Sequence, residues 1–520
     1  MLSWIDRRPG SLTYGCSDRN YWHYKIVDFP CAMLQETALT LALLYSTKFK
    51  GNYYYKKNYI KNLALAQIAY WQKIQNKNGS FDEFFPNEQS FSATAFTLYS
   101  SCKTLQILGE EREFIRQNAK KACEFLLSYG NPGASNQVAA AIAAINLHSV
   151  LFNDNSHEER LNNLLHRLLK SQSDEGWTPE YGGFDVGYQS ITLAYLSDFN
   201  ISRNDDRVSN TIHKMIEFLS YFIHPDGTVG GEYGSRSTIF LAPYGFAQNM
   251  SKNKSASAIY KKVFLTNSSY INISIDDRYI CHFILPSYLL SIKIIQPNGA
   301  IENELPYKNN FNKLFKETGL YIHSTPDYYF ITNLTKGGVF NLYRKNNQGN
   351  HLNAGYVLQD KKKVYVTNWL NKVSIYKINE KENRIEMDTN FFYVSNKIPT
   401  PFYHTLLRII SFVGGKKILP LLKEYFIHKQ QISTEKMNRK FIFGDHQIEI
   451  IDEIKAEKMN LENIFFANPC STFRYVAPSN YYQYDELNNF LDNKEKLDII
   501  NNKILFRQII NTSNFEYSSG

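Results

Sequence analysis

The sequence has few cysteines and no paired cysteine motif. Its six cysteines are widely scattered, at positions Cys16, Cys31, Cys102, Cys123, Cys281 and Cys470. No CxxC pair occurs, so zinc-finger and thioredoxin-like motifs are excluded. The scatter is typical of reduced thiols in a cytosolic protein rather than of a disulfide framework. The spacing of potential ligands shows no metal-binding pattern either, and we predict no metal and no other cofactor.

Long apolar runs are also missing. The nearest to a membrane span, Val138 to Phe152, is interrupted by Asn146 and His148. The first residues, MLSWIDRRPGSLTYG, lack the apolar core of a signal peptide. The sequence therefore predicts neither a membrane span nor export, and a cytoplasmic location is expected.

The charge balance excludes a typical nucleic-acid-binding protein. The formal net charge is +9, from 58 basic and 49 acidic residues, and no Lys/Arg stripe is visible. A modest positive excess favours an anionic substrate. Aromatic residues make up 15% of the chain, with 37 Tyr and 35 Phe, which suits stacking on sugar rings or filling large cores. The length of 520 residues and the hydrophobic fraction of 43% predict two or three domains.

The hydrophobic pattern changes along the chain and predicts a multidomain α+β protein. Residues 1–30 are loop-like and are expected to form an N-terminal arm. Apolar residues then recur at three and four positions, with glycines in the connectors, which predicts helical hairpins over residues 31–300. From Thr318 onward, short β-rich runs alternate with Gly, Asn and Lys turns, which predicts an antiparallel β-sandwich over residues 301–520.

One segment of the predicted β domain differs from its surroundings. Residues 401–429, beginning PFYHTLLRIISFVGG, are basic, apolar and helical in pattern. Such a segment could sit on a membrane surface as a peripheral contact. A helical insertion packed on the sandwich is the favoured interpretation.

A weak internal repeat runs through the helical part. Three segments each read as a helix, a polar stop, a Gly-bearing turn, an acid and a Ser/Thr entry to the next helix: Trp71 to Phe96, Leu168 to Leu196 and Met215 to Leu241. Helical hairpins related in this way usually close into an α/α toroid, here an incomplete one. Their equivalent loops then gather at one end, and Glu83, Glu180 and Glu232 would lie on that rim.

The connector from Asp174 to Tyr188, DEGWTPEYGGFDVGY, is the most distinctive stretch. It combines glycines that bend the backbone with acids, tyrosines and a tryptophan. This combination suggests a loop that contacts a polar, ring-shaped ligand through Trp177, Glu180, Tyr181 and Tyr188. The alternative is a helix-capping loop whose aromatics cover the core.

Three motifs resemble the heparinase II/III-like superfamily of polysaccharide lyases and related uronyl C5-epimerases. They are GASNQVAAAIAAI (Gly133 to Ile145), EGWTPEYGGFDVGYQS (Glu175 to Ser190) and GNHLNAGYVL (Gly349 to Leu358). The resemblance covers most of the chain and implies a toroid followed by a β-sandwich. It also implies a uronate-containing polysaccharide substrate, with Asn136, Tyr188 and His351 as catalytic residues and His351 facing the toroid cleft. Family lyases often have His directly after the Asn, where this chain has Gln137. That departure favours a shifted specificity or epimerisation.

The expected reaction removes the proton at C5 of a uronate, which requires a neutralised carboxylate, a base and an acid. Asn136 and Gln137 could neutralise the carboxylate through amide donors, and Arg236 could add a cationic clamp. Tyr188 is the preferred acid and also a candidate base, with a pKa lowered by neighbouring cations and amides. Tyr181 and Tyr233 are alternatives in the same loop layer, and His446 and His23 are weaker alternatives to His351.

Structural interpretations of the same residues remain open. Asn136 could cap a helix beginning at Gln137, Tyr188 could be a core aromatic, and a lone histidine such as His351 is more often structural.

Three other functions also remain open. A uronyl C5-epimerase of surface-polysaccharide biosynthesis would return the proton to the opposite face of the ring, and the missing export signal favours such a synthetic role. A glycoside hydrolase would need two carboxylates flanking the bond. Its candidates are Asp82, Glu83, Glu180, Asp185 and Glu232. A non-catalytic glycan-binding protein would need none of the catalytic residues.

Overall fold

The structure is a computed structural model. It describes residues 1–520 except 110–112, 131, 267–279, 296–303, 347–349, 361–362, 372–373, 395–397, 399, 424–430, 445, 456–464, 468–497, 501–502, 513–516 and 520.

The first part of the chain is helical. Its helices, in chain order, are α1 (Arg19–Trp22), α2 (Thr37–Ser46), α3 (Asn58–Lys73), α4 (Phe91–Leu108), α5 (Glu113–Ser128), α6 (Ser135–Phe152), α7 (Glu158–Lys170), α8 (Val186–Arg203), α9 (Asp206–Ser220), α10 (Pro243–Asn249), α11 (Lys254–Tyr260) and α12 (Leu285–Ile294). Short 3-10 segments lie at Leu2–Trp4 and Ala32–Glu36, and π-type turns lie at Lys261–Leu265 and Ile280–Ile284.

Helices with even numbers form an inner ring. Each of α2, α4, α6, α8, α10 and α12 contacts the next, and α12 returns to contact α2. Within the described residues, α3, α5, α7, α9 and α11 form the outer layer. This arrangement is an α/α toroid, as the repeat predicted.

Sequence composition decides which layer a helix joins. Helix α6 is rich in Ala and Ile and is buried on nearly all sides, because an inner helix has packed neighbours all round. Helix α7 buries only Leu161, Leu164, Leu165 and Leu168. This spacing makes a single apolar stripe, which is the pattern of a helix with one face in solvent.

The second part of the chain is built mainly from strands. They are β1 (Phe311–Phe315), β2 (Leu320–Ser324), β3 (Tyr328–Asn333), β4 (Val339–Arg344), β5 (Asn350–Asn353), β6 (Val357–Asp360), β7 (Lys363–Val366), β8 (Ile375–Asn379), β9 (Arg384–Val394), β10 (Gln431–Phe443), β11 (Gln447–Lys455), β12 (Phe465–Ala467), β13 (Asp498–Ile500), β14 (Lys503–Asn511) and β15 (Tyr517–Ser519).

These strands form two antiparallel sheets. The first has the order β1-β2-β3-β4-β5, and the second the order β12-β6-β7-β9-β10-β11-β14-β13, with β8 paired to β9 and β15 to β14. The sheets pack face to face. Phe330 of the first sheet lies 5.4 Å, ring to ring, from Phe441 of the second. The predicted fold class, a helical toroid followed by an antiparallel β-sandwich, is confirmed.

The first sheet is buried on both faces. Phe330 and Phe340 belong to the core between the two sheets, whereas Tyr329 and Ile331 join the large core of the toroid. Successive side chains of a strand point to opposite faces, so one sheet serves two cores. The β-sandwich is therefore docked on the toroid through its smaller sheet.

The segment predicted as a helical insertion contains α13 (Pro401–Gly414) and α14 (Ile418–Lys423), and residues 424–429 lie outside the described part. Its expected packing on the sandwich is not observed among its described contacts. The Ser411 hydroxyl donates to the Pro86 carbonyl, and the Lys416 N–H donates to the Gln89 side chain, so the segment lies on a toroid loop. Several apolar side chains of α13 remain exposed, among them Phe402, Ile409, Phe412 and Val413. No helix of the described residues combines the length and apolarity needed to cross a bilayer.

Candidate functional site

The long connectors of the toroid lie at one end of the helices. Residues 74–90, 129–134, 171–185 and 221–242 join outer to inner helices there, whereas the connectors from inner to outer helices lie at the opposite end. Three of these long loops begin with the same turn. In each, one backbone N–H donates four residues forward, as from Asn76 to Ser80, Ser173 to Trp177 and His224 to Thr228. The internal repeat is therefore present in the backbone, and the loops form a common rim.

The three rim glutamates have different environments. Glu83 is partly exposed, whereas Glu180 and Glu232 are 0% and 3% exposed. Glu232 accepts a hydrogen bond from the Ser237 hydroxyl at 3.0 Å. The rim position predicted for all three is right in the fold, but two of the side chains point inward.

Glu180 binds the start of the inner helix α6. Its Oε1 accepts the Asn136 backbone N–H at 2.7 Å, and its Oε2 accepts the Asn136 side-chain amide at 2.8 Å. A carboxyl group from another loop thus caps the helix. Burial raises the pKa of Glu180 well above its usual value, although both donors act in the opposite direction.

The alternative role of Asn136 as a cap is wrong. Helix α6 begins at Ser135, and its N-cap residue is Ala134, without a side-chain cap. The capping group is the distant Glu180 carboxyl, which could not be inferred from the local sequence.

Gln137, Tyr181 and Arg236 form a contiguous group beside this pair. The Gln137 amide donates to the Tyr181 hydroxyl at 3.1 Å. The Arg236 guanidinium lies 4.5 Å from the centre of the Tyr181 ring, in cation–π contact. Burial raises the pKa of Tyr181 to about 12, while Arg236 and the Gln137 hydrogen bond act to lower it. The predicted residues Gln137, Tyr181 and Arg236 are thus brought together.

Tyr188 occupies the first turn of α8, beside the same group. Its side chain is partly buried, and among the described residues none forms a hydrogen bond with its hydroxyl. The pKa of Tyr188 is raised well above its usual value, first by burial and then by Tyr181, with Arg236 opposing. The expected lowering is not observed, because burial outweighs the cation. In this environment Tyr188 is a phenol.

Asp185 holds the start of α8 in place. It is fully buried, and its carboxylate accepts the backbone N–H groups of Tyr188, Arg236 and Thr238 at 3.2, 3.1 and 3.2 Å. It also accepts the Thr238 hydroxyl. These contacts connect the start of α8, which carries Tyr188, to the loop of Arg236. Both oxygens of the Asp185 carboxylate are engaged in these hydrogen bonds.

Two other predicted substrate-binding residues lie elsewhere. Tyr233 is 0% exposed, and its hydroxyl lies 2.8 Å from Nε2 of His224 inside the core. Trp177 is partly buried, and its indole N–H donates to Glu175 at 3.1 Å. Glu175 in turn accepts the Glu317 backbone N–H at 2.8 Å. Tyr233 is therefore a core residue, and Trp177 lies where the toroid meets the β domain.

His351 does not face the toroid as expected. It pairs with Leu342 across β4 and β5, and paired residues point to the same face. That face is the inner one of the sandwich, where His351 stacks on Phe340 and its Nε2 lies 3.1 Å from the Gln508 amide. Burial lowers its pKa to about 4. Of the weaker alternatives, His23 is exposed on the N-terminal arm, and His446 precedes β11 in the second sheet.

The β domain contributes contacts that the sequence did not reveal. A Cβ placed on Gly183 would lie 2.7 Å from Cδ1 of Leu370, so the loop after β7 packs directly on the tyrosine-bearing loop. The buried Lys336 donates to the carbonyls of Glu232 and Gly234 at 2.6 and 2.7 Å. These residues carry no local signal, because their partners lie far away in the chain.

A cleft of ≈ 230 Å³ opens beside these loops. Its walls include Gly133, Ser135, Arg167, Ser171 and Pro179. None of the predicted site residues lines it. The candidate site is therefore the rim group itself: Asn136, Gln137, Glu180, Tyr181, Tyr188 and Arg236.

Comparison with known proteins found similar folds among solved structures only. No family model matches the sequence, and no curated protein matches it. Among solved structures, Streptomyces coelicolor A3 chondroitin AC lyase in complex with chondroitin sulphate aligns with a TM-score of 0.51 and 9% identity, covering 88% of this chain and 65% of that one. Heparan sulfate lyase HepC from Pedobacter heparinus aligns with a TM-score of 0.39 and 12% identity, covering 82% and 62%.

The chain has a fold similar to that of this chondroitin AC lyase, and in this chain that fold is a helical toroid followed by a β-sandwich. It spans less than two thirds of the length of both solved structures.

Proposed function

We propose that this chain is a carbohydrate-active enzyme that cleaves a uronate-containing polysaccharide by β-elimination. The observation that carries the proposal is the rim group. Two partly exposed tyrosines, Tyr181 and Tyr188, both interact there with the buried cation Arg236. Proton removal beside a carboxylate needs a base and an acid supported by positive charge. The solved chondroitin AC lyase with a similar fold is an enzyme of this class by its name.

The two tyrosines differ in ease of ionisation. The Arg236 guanidinium lies over the Tyr181 ring, and the Tyr181 hydroxyl accepts a hydrogen bond from the Gln137 amide. Both contacts stabilise a phenolate. Tyr188 has no comparable donor among the described residues. We therefore assign Tyr181 as the base and Tyr188 as the acid.

The reaction then balances with these two groups. The Tyr181 phenolate takes the C5 proton, and the electron pair left on C5 forms the C4=C5 double bond. The C4–O bond breaks, and Tyr188 gives its proton to the departing oxygen. A proton passing from Tyr181 to Tyr188 restores the starting state.

Asn136 and Glu180 are hydrogen-bonded to each other beside the two tyrosines. An amide carries two N–H donors, and one of those on Asn136 goes to Glu180. In this proposal the other donates to the substrate carboxylate, which has to reach a side chain that is 2% exposed. Glu180 then acts as a positioning residue, because it is fully buried.

Hydrolysis is disfavoured by the carboxylates themselves. Glu180 and Asp185 are fully buried and bonded to backbone N–H groups. The Asp82 carboxylate accepts the backbone N–H groups of Asn87 and Gln89 at 2.9 and 2.8 Å. A hydrolase needs two carboxyl groups facing the scissile bond. Glu232 is 3% exposed and accepts the Ser237 hydroxyl, so the described rim residues do not present two such facing carboxyl groups.

The deciding experiment incubates the protein with a panel of uronate polysaccharides, including chondroitin sulphate, in deuterated water. Ultraviolet absorbance reports the unsaturated product, and proton NMR reports deuterium at C5. We expect the parent protein to produce this absorbance and the Tyr188→Phe variant to produce none. Tyr195→Phe is the matched control, since Tyr195 lies on the same helix and packs on Tyr99 in the ring core.

The other outcomes separate the alternatives. Deuterium at C5 without cleavage would replace the lyase by a C5-epimerase using the same groups. Saturated reducing ends would indicate a hydrolase. Full activity of Tyr181→Phe with loss in Tyr188→Phe would assign both proton transfers to Tyr188. Absence of any reaction with the panel would contradict the proposal for these polymers.

A further inference from the structure

Three buried side chains with metal-ligand chemistry meet between outer and inner helices, away from the rim group. Cys123 lies on α5, His148 lies near the end of α6, and His157 directly precedes α7. Their potential ligand atoms all lie within 4.8 Å of one another. The three residues are at most 1% exposed.

The two imidazoles lack the partners that buried polar groups normally have. Within the described part of the chain, neither nitrogen of His148 forms a hydrogen bond, and His157 forms none either, although its Nδ1 lies 3.3 Å from the Glu124 carboxylate. Buried polar side chains are bonded in the great majority of cases, since an unpaired one costs about 1–3 kcal/mol. Two such rings side by side, with centres 5.8 Å apart, indicate a common missing partner.

Protonation of the rings does not supply that partner. Burial lowers the pKa of His148 to about 4, and it also lowers the pKa of His157. Both rings are therefore neutral near pH 7, with one lone pair each to offer. Burial raises the pKa of the Cys123 thiol well above its usual value.

We infer that Cys123, His148 and His157 bind a thiophilic divalent cation of the zinc type. Thiolate sulfur and imidazole nitrogen are both ligand types that Zn²⁺ uses in proteins. The ligand atoms around a tetrahedral zinc lie about 3.3–3.8 Å apart, so the three groups need to close by about 1 Å. Binding displaces the thiol proton, and the bond between the metal and the thiolate offsets the cost of that deprotonation.

A carboxylate stands next to this group. Oε1 of Glu124 lies 3.3 Å from Nδ1 of His157, while its Oε2 accepts the Arg160 guanidinium at 2.7 Å. Ligating histidines usually have such a carboxylate at their second nitrogen. Glu124 therefore orients His157, and water completes the tetrahedron.

Such a site would connect three helices of the toroid. Cys123 and His148 lie 25 residues apart in the sequence and belong to different helices, and His157 belongs to the turn leading into a third. A metal that binds only the folded chain stabilises it in proportion to ln(1 + [M]/Kd). The expected role is structural, at the end of the helices opposite the rim.

The test measures metal binding by the full chain after chelator treatment and dialysis. Titration with Co²⁺ should give one equivalent of a tetrahedral visible spectrum together with a thiolate charge-transfer band. Zn²⁺ should displace the spectrum, release about one proton per site and raise the melting temperature. These readouts need no knowledge of the substrate.

Matched variants make the assignment specific. Cys123→Ser should lose the charge-transfer band, and His148→Gln should weaken Zn²⁺ binding at least about tenfold. Cys16→Ser and His166→Gln are controls, since Cys16 is buried on the N-terminal arm and His166 is exposed on α7. Both controls should bind as the parent does, and circular dichroism verifies that each variant is folded.

Clear results would overturn the inference. One is the absence of saturable Zn²⁺ or Co²⁺ binding by the folded parent chain. Another is binding by folded Cys123→Ser and His148→Gln that equals the parent's, which would indicate an adventitious surface site.

Discussion

Asn136 donates both its backbone N–H and its side-chain amide to the carboxyl of Glu180, at 2.7 and 2.8 Å. The two residues are 44 positions apart: Asn136 lies in the first turn of α6, and Glu180 lies in the rim loop that follows α7. This double contact fixes the start of α6 against the loop that carries Tyr181. It makes Glu180 a support of the candidate site rather than a group that meets substrate.

Asn136→Ala is expected to lower stability by about 1–3 kcal/mol, because it leaves the Glu180 carboxyl with an unsatisfied buried oxygen. It should also abolish activity in the polysaccharide assay. Asn146→Ala is the control on the same helix. Asn146 is equally buried and bonds Ser202 and Arg203. Comparable melting temperatures with activity lost only in Asn136→Ala would support the assigned role, and equal activities would contradict it.

Gly187→Ala should displace Tyr188. A Cβ on Gly187 would lie 2.6 Å from Oγ1 of Thr238 and 2.8 Å from Cε1 of Phe240. Overpacking of this kind costs about 1–3 kcal/mol, and a shift of about 1 Å at a catalytic group can lower the rate on the order of a hundredfold.

Gly130→Ala provides the matched comparison, since no atom lies within 4 Å of its Cβ position. Steady-state rates and thermal melts of both variants check the prediction. An active Gly187→Ala enzyme with an unchanged melting temperature would show that the loop adapts.

Arg236 is expected to set the pH dependence of the reaction. The base must be ionised, so the rate should rise with pH below the Tyr181 pKa of about 12. Since Arg236 acts to lower that pKa, Arg236→Met should move the rise to higher pH, and Arg236→Lys should restore it in part.

A pH–rate profile for each variant measures this effect. Arg203→Met, at the far end of α8, should leave the profile unchanged, because Arg203 pairs with Glu158 away from the rim. Identical profiles for Arg236→Met and the parent would show that Arg236 does not influence the ionisation of the base.

Glu88 should make stability depend on pH. It is fully buried, and it accepts the backbone N–H groups of Glu83 and Phe84 at 2.9 and 2.6 Å. Burial raises its pKa from 4.5 to about 7. A raised pKa means that the folded state holds the proton more tightly, so the stabilisation is complete below about pH 4.5 and is lost as pH rises through 7.

The free energy of unfolding should therefore fall between pH 4.5 and 8 by at most about 3 kcal/mol from this group. Glu88→Gln should remove that part of the fall, and the exposed Glu159→Gln should not. Denaturant unfolding across this pH range provides the measurement. A parent curve and a Glu88→Gln curve with the same pH slope would refute the prediction.

Much of the architecture follows from local sequence. The apolar stripe of α7, the Gly-bearing turns and the change to short alternating strands are short-range patterns, and each is visible within about ten residues. The repeated turns at Asn76, Ser173 and His224 were also predictable, because each rim loop reuses the same residue types in the same order. The convergence of Gln137, Tyr181 and Arg236 followed from placing equivalent loops at one end of a toroid.

The orientation of individual side chains depended on tertiary structure. Strand register turns His351 toward Phe340 and Gln508, and a shift of one residue would have reversed it. Burial in the toroid core raises the pKa of Tyr188 and encloses Tyr233. The group of Cys123, His148 and His157 has no sequence spacing that marks it. Helix periodicity and turns are encoded between near neighbours, so the sequence alone determined them. Burial, register and contacts between distant residues exist only once the chain is packed, and the tertiary structure alone decided these.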